Sequence, residues 1–507
     1  MQFDSFGYEA EKKYKRLLAD EEEAGWHLFR QFKMKLHTSE EGMDRNVKLK
    51  SIDGQEQRAM PIFSMAIEYL KREAMKQINE TTDGLRDTDV LFVITVPAIW
   101  NDSAKQFMRE AAIQAGIENE CILLALEPEA ATSWCKRKQE EIDPKGPLSK
   151  KDANIMVVDV GGGTVDISVS QKTEKGGIKL IQKPEGGAWG GTAVDKTFLR
   201  FLDEVFGQEA IEKLRDEALV EYYEILTTFE VQKRDSNIES LTLHVPTLID
   251  ITGEQNLMEN INSLGFQNDV KILKKRGKRI RIGRNVIESC FRLPVKNIGS
   301  LICELLHKPH LKNIDIMLLV GGFANCQLLK DEITQKVGSI TNMFVPRNPE
   351  LAVLKGAVRY GMNPSSVRAR KMNFSYGIGK PVPYDRLKHD ASMVEFDRGT
   401  NIVTLFERFV EKDEEFKTGE VVSKSFVSAM GTDLTMIKVF TSSEKNPKYI
   451  KESGCKMIGN IVIEHDACSD DKDRMFNVQF EFGKTELSVR VAMQHTGKEL
   501  CTRINCL

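Results

Sequence analysis

The chain has 507 residues, 41% of them hydrophobic and 29% charged, with a formal net charge of -3. A single core stops growing at roughly 250 to 300 residues, so two or more domains are expected, and the near-neutral charge argues against nucleic acid or an acidic membrane surface as partner. Nine cysteines without a C-x-x-C pair argue against a disulfide framework or a thiolate zinc site. With no leader-like apolar segment, and no run near the roughly 20 residues of a membrane span, the expectation is a cytoplasmic protein.

In chain order, Tyr8 to Lys35 is charged with interspersed Trp26, Leu28, Phe29, Phe32 and Met34, and reads as a surface helix running into a half-buried segment. Apolar residues spaced by three and four from Ile62 to Ile78 predict an amphipathic helix. The run Val90 to Val96, closed by Pro97, predicts a strand buried on both faces. Asn101 to Ser103 offers an N-cap for a helix from Lys105 to Gly116. A strand Ile122 to Glu127, a helix Glu129 to Lys138, a polar turn from Asp143 and a strand Asn154 to Val160 follow. That strand runs into Gly161-Gly162-Gly163-Thr164 and a further strand from Val165. A second pass begins at Gly190, a glycine turn opening a helix. It ends with a strand Ile314 to Val320, Gly321-Gly322 and a helix Gln327 to Val337. Two such halves predict a duplicated α/β fold with a cleft between lobes. Beyond about Pro364, alternating runs at Met436, Gly459, Met475 and Glu486 predict an all-β module.

The octet Asp159 to Asp166, D-V-G-G-G-T-V-D, carries the chemistry. Three glycines after a buried strand let backbone N–H groups approach phosphate oxygens where a Cβ would collide. Asp159 at the strand end can hold a hydrated Mg²⁺, which takes only one or two protein oxygens, and Thr164 can donate its hydroxyl to phosphate.

This octet resembles the second phosphate loop of the heat-shock protein 70 family, and neighbouring segments match in the same order. They are Val96-PAIWNDSAKQF, Leu126-EPEAA, Trp189-GGTAVDKTF, Thr228-FEVQKRDSN, Leu318-LVGGFANCQLL and Asn348-PELAVLKGAVRYG, with the match running over residues 90 to 362. Phe406 to Phe426, Ile437 to Ser443 and Leu487 to Glu499, with a T-G-K ending at Thr496 to Lys498, resemble strands of the family's peptide-binding sandwich. Features such as Phe3-DSFGYEAEKKY and Phe32-KMKLH resemble a divergent branch of the family.

The resemblance implies a two-lobed actin-like ATPase domain of duplicated ribonuclease H-like lobes at 1–362, with lobe I about 1–171 and lobe II about 172–362. A linker at 363–395 and a sandwich-like module at 396–500 would follow. It implies ATP or ADP with Mg²⁺ as cofactors. Gly161, Gly162, Gly163 and Thr164 would cradle the phosphates, and Asp159 would sit near the metal. Gly190 and Gly191 would approach ribose and phosphate, with Gly321 and Gly322 near the adenosine. Glu230, Lys233 and Arg234 would hold ribose and adenine. Glu127 would order water, and Lys33, with Lys35 as the competing candidate, would stabilise the developing phosphoryl charge.

Departures from the family pattern are also visible. No D-x-G-T turn occurs before residue 150, so the first lobe is expected to lack the first phosphate loop. Phe323 and Asn325 stand at the family's serine and arginine of the adenosine loop, and Asn237 replaces a serine beside the base. The expected function is therefore ATP binding with slow or impaired hydrolysis, coupled to a β module that takes peptide or protein clients. A nucleotide-sensing scaffold without turnover and a sugar-kinase-like phosphotransferase are the alternatives. The basic run from Lys271 to Arg284 alternates with isoleucines and reads as a solvated hairpin, and Met430 and Met436 as core or groove residues.

Overall fold

The computed structural model describes residues 2–37, 44–174, 177–275, 277–311, 313–338, 342–397, 399–427, 434–464, 475–493 and 499–503, the last as backbone only. Met430 and the Thr496–Lys498 ending lie outside the described residues.

The chain opens with helix α1 (Gly7–Ala19), the 3₁₀ turn Phe32–Leu36, a small hairpin β1 (Lys48–Lys50) and β2 (Glu56–Arg58), and helix α2 (Ala59–Thr81). Strand β3 (Phe92–Val96), helix α3 (Asp102–Gln114), strand β4 (Ile122–Leu126) and helix α4 (Glu127–Ile142) follow. Asn101 caps α3 by accepting from the Ala104 N–H, as its position predicts. The strands β3 and β4 pair in parallel. Their apolar run packs under α2 and α3, where Phe63 meets Phe107 edge to face at 5.4 Å.

The next unit comprises β5 (Asn154–Val160), β6 (Val165–Lys172), β7 (Ile178–Gly187), α5 (Gly191–Phe206), α6 (Gln208–Glu217), α7 (Leu219–Gln232), β8 (Ser240–His244), α8 (Pro246–Thr252) and α9 (Glu254–Ser263). It continues with β9 (Val270–Leu273), β10 (Arg279–Gly283), α10 (Arg284–His307), β11 (Ile316–Val320), α11 (Gln327–Val337), β12 (Asn342–Phe344), α12 (Ala352–Met362) and β13 (Val367–Lys371). Alternation along β5 sends Met156, Val158 and Val160 to the core containing Phe198 and Phe291. Ile155 and Val157 go to the other face, against Ala131 and Cys135 of α4 and Ala352 of α12. Strand β5 pairs in parallel with β11 and antiparallel with β6, so residues 154–171, grouped with the first lobe in the sequence reading, share a sheet with second-lobe strands. Helices α4 and α12 cross so closely that a Cβ on Gly356 would overlap the Ala130 carbonyl. The basic run forms the β9–β10 hairpin with Ile280 and Ile282 buried, while Lys274 and Lys278 pair with Glu254 and Asp250.

Residues 363–395, expected as linker, instead carry β13 and β14 (Ser375–Pro383). The module continues with β15 (Glu395–Asp397), β16 (Thr400–Val410), β17 (Glu415–Lys417), β18 (Glu420–Val427), β19 (Leu434–Ser442), β20 (Cys455–Glu464), β21 (Met475–Phe482), β22 (Ser488–Met493) and β23 (Glu499–Arg503). Two sheets, β15-β16-β14-β19-β20 and β18-β21-β22-β23, enclose a core of Tyr376, Ile378, Phe409, Val439, Phe480 and Val491. A third sheet, β12-β11-β5-β6-β7-β13-β17, runs from the preceding α/β unit into the module. At this junction the buried Arg370 bonds both Glu129 carboxylate oxygens, at 2.7 and 2.6 Å, and the Gly483 carbonyl. Arg109 of α3 bonds Glu486 at 2.6 and 2.5 Å.

Candidate nucleotide site

The β5–β6 turn holds the triple glycine. Gly161 donates to the Thr164 carbonyl at 3.0 Å, and the start of α5 is stitched onto the turn. Gly190, Gly191 and Thr192 donate to the carbonyls of Gly163, Gly161 and Gly162 at 3.1, 3.2 and 2.7 Å. This close approach explains Gly190, where a Cβ would stand 2.6 Å from the Gly161 carbonyl oxygen. Gly321, at φ 91°, passes over the end of β5, and its Cβ would stand 2.6 Å from the Asp159 carboxylate. A Cβ on Gly163 would overlap the Met34 thioether, whereas one on Gly162 would meet nothing within 4 Å. The space beyond Gly162 is open.

That space is a cleft of about 1180 Å³. It is lined by Lys33, Glu127, Asp159, Gly161, Gly162, Gly163, Thr164, Gly191, Glu230, Lys233, Arg234, Gly321 and Gly322. Lys35 does not line it, and Gly190 lies behind the turn, its N–H already bonded. Sequence reasoning assigned no role to Asp166, Asp195, Trp100 or Met34. The first was signalled by the second aspartate of the octet, and Asp195 by its place one helical turn after Gly191, on the same face.

Asp159 and Asp166 are 6% and 1% exposed. Burial, then the charges of Glu127 and Asp166, push the Asp159 carboxyl up, against the opposing pull of Lys33. Burial and then Glu127 push Asp166 up to about 7, while it accepts from the Ile99 N–H at 3.1 Å and from the Thr164 hydroxyl. Lys33 is ion-paired with Glu127. Asp159, buried yet lining the open cleft, together with the neighbouring charges of Glu127 and Asp166, forms an electrostatic deficit that a cation relieves. Among the described residues no group of three or more His, Cys, Asp or Glu could hold a metal by itself. The cleft-lining carboxylate of Asp159 fits Mg²⁺, which keeps several waters and takes one or two carboxylates plus phosphate oxygens.

At the far end Lys233 bonds Asp195 and the Gly191 carbonyl, so burial, which lowers the lysine's pKa, is partly offset by Asp195. Glu230 bonds Arg30 and, at 3.1 Å, Arg234, whose other nitrogen reaches the Tyr8 hydroxyl at 3.4 Å. The cleft lining there includes Ile238, Ile287, Phe291 and Phe323, with the last two rings 6.0 Å apart, and Asn237 and Asn325.

A glycine turn between antiparallel strands, with a buried aspartate at its start lining the cleft of a mixed α/β unit, defines the actin-like ATPase class, here followed by a β-rich C-terminal region. The chain belongs to the heat-shock protein 70 family: residues 14–276 match its model, described as Hsp70 protein. It is 27% identical to heat shock 70 kDa protein 12A of Homo sapiens over 565 residues, covering 100% of this chain and 83% of that protein. Heat shock 70 kDa protein 12B of Homo sapiens is 27% identical over 573 residues with the same coverages. Chaperone protein dnaK of Trieres chinensis is 27% identical over 285 residues, 56% of this chain and 41% of that protein. Membership carries nucleotide binding at the level of the family.

Proposed function

We propose that the protein binds Mg-ATP between its lobes, hydrolyses it slowly, and couples the cleft to a β module that takes peptide or protein partners in the cytoplasm. The observation that carries this reading is the open space over Gly162, bordered by the buried Asp159 and by the Lys33–Glu127 pair. Asp159, which lines the cleft, would hold the magnesium, and the ion would supply charge neutralisation at the phosphates. Backbone N–H groups of the turn that are not bonded within it would receive phosphate oxygens, while the single hydroxyl proton of Thr164, given to Asp166, would brace the turn. Glu127 is within reach of the same region to accept a proton from attacking water, once Lys33 turns to the phosphate. Coupling to the module is supported by the shared sheet and by Arg370, which joins Glu129, two residues after Glu127, to the β21–β22 turn.

Calorimetry with ATP and ADP, with and without Mg²⁺, beside single-turnover hydrolysis tests the reading. Micromolar Mg-dependent binding with measurable turnover is expected, and absence of binding sinks it. A second reading, a nucleotide-sensing scaffold without turnover, is favoured by Phe323 and Asn325 at the base end. Binding with no hydrolysis above background would select it.

A further inference from the structure

The turn between β3 and α3 brings Trp100 to the wall of the cleft beside Lys33. Its backbone is pinned: Trp100 donates to the Pro97 carbonyl at 3.3 Å, the preceding Ile99 N–H is held by Asp166 at 3.1 Å, and the following Asn101 caps α3. The side chain is 5% exposed and packs in the core of the first lobe. Core filling alone does not account for an indole there, because its Nε1–H is buried with no hydrogen-bond partner among the described residues. A buried tryptophan ordinarily satisfies that donor, and a phenylalanine would fill the site without an orphaned polar atom. What the indole adds is the strongest aromatic quadrupole, and the Lys33 ammonium lies 5.5 Å from its ring centroid.

Resting on the nucleotide-cleft reading above, we infer that Trp100 is a positioning residue: it holds the Lys33 ammonium at the terminal-phosphate end of the cleft and so sets the preference for a nucleoside triphosphate over a diphosphate. Lys33 sits on a short 3₁₀ turn with its side chain half exposed and, among the described residues, ion-paired with Glu127 alone. A four-carbon stem with one ionic partner would swing freely. The ring face restrains the ammonium without occupying any of its three N–H donors, which stay available to Glu127 and to phosphate oxygens. A diphosphate, lacking the terminal phosphate, would gain nothing from the restraint.

The test compares ATP and ADP affinities by calorimetry, with Mg²⁺, in the full chain as wild type, Trp100→Phe, Trp100→Leu, Lys33→Met and the Trp100→Leu/Lys33→Met double variant. Trp100→Leu is expected to weaken ATP by roughly threefold to thirtyfold while leaving ADP nearly unchanged, with Trp100→Phe recovering part of the loss. In the Lys33→Met background the tryptophan substitution should cost nothing further for ATP, since the partner it acts through is gone. Equal losses for ATP and ADP, or additive losses in the double variant, overturn the inference and leave Trp100 a core residue. If Trp100→Leu does not fold, an unchanged ATP-to-ADP ratio in Trp100→Phe overturns it equally. Wild-type protein that binds neither nucleotide overturns the nucleotide reading itself, and this inference with it.

Discussion

Gly162 and Gly163 are neighbours of identical chemistry with opposite tolerance for a side chain. At 163 a Cβ runs into Met34, so substitution there would disturb the turn, whereas at 162 it would project into open cleft. Gly162→Val should therefore keep the fold, with an unchanged circular dichroism melt, and lower ATP affinity about tenfold or more by occupying the phosphate space. Unchanged affinity in calorimetry would remove the phosphate role of the turn. Asp166 makes a separate, pH-dependent claim. Its carboxyl lies near 7 in the folded chain against 3.8 as the ordinary value, so between those limits the folded state keeps a proton that the unfolded state has released. Its contribution to stability is complete below the lower value and is lost as pH rises through about 7, a change of roughly a few kcal/mol. Melts of wild type should fall from about pH 5 to about pH 8 more steeply than those of Asp166→Asn, and Mg-nucleotide should restore part of the difference. Identical slopes in the two proteins would refute the assignment.

At the scale of elements, the crossing of α4 and α12 depends on a missing methyl. The neighbour that a Cβ on Gly356 would strike is the Ala130 carbonyl, backbone inside a helix, so it cannot swing aside as a flexible side chain would. Gly356→Ala is expected to destabilise by about 1 to 3 kcal/mol in chemical denaturation despite alanine's better helix propensity. A stabilised variant would mean that the two helices are not held at this distance in solution. Strand β14 illustrates the reverse problem for sequence reading. Its Ser375–Pro383 segment contains Gly377, Gly379, Pro381 and Pro383, which local propensity reads as linker. It is a strand because tertiary packing needs those residues: a Cβ on Gly377 would stand 2.5 Å from the Phe406 ring, and β16 and β19 pair on either side.

For the molecule as a whole, β14 decides where the module can be cut. A fragment from Phe396 onward, the boundary drawn from sequence, lacks the strand between β16 and β19 and the core residues Tyr376 and Ile378. That fragment should give a disordered circular dichroism spectrum, whereas one beginning near Met372 should show β structure and cooperative unfolding. A folded fragment from Phe396 would show that β14 is dispensable. The sequence by itself determined the α/β class, the all-β texture of the C-terminal part, the strands β5, β6 and β11 with helices α5 and α11, and the glycine turn with its aspartate. Those features are written in short-range periodicity and in glycine's unique freedom, which neighbours in the chain do not alter. Only the tertiary structure decided that β13 joins the two units in one sheet, that Trp100 belongs to the cleft wall and that Asp166 is buried against the Ile99 N–H. It also brought Arg109 to Glu486, 377 positions away. Such pairings depend on which surfaces are buried against each other, and burial sets the charge state and the reach of a side chain without leaving any local signature in the sequence.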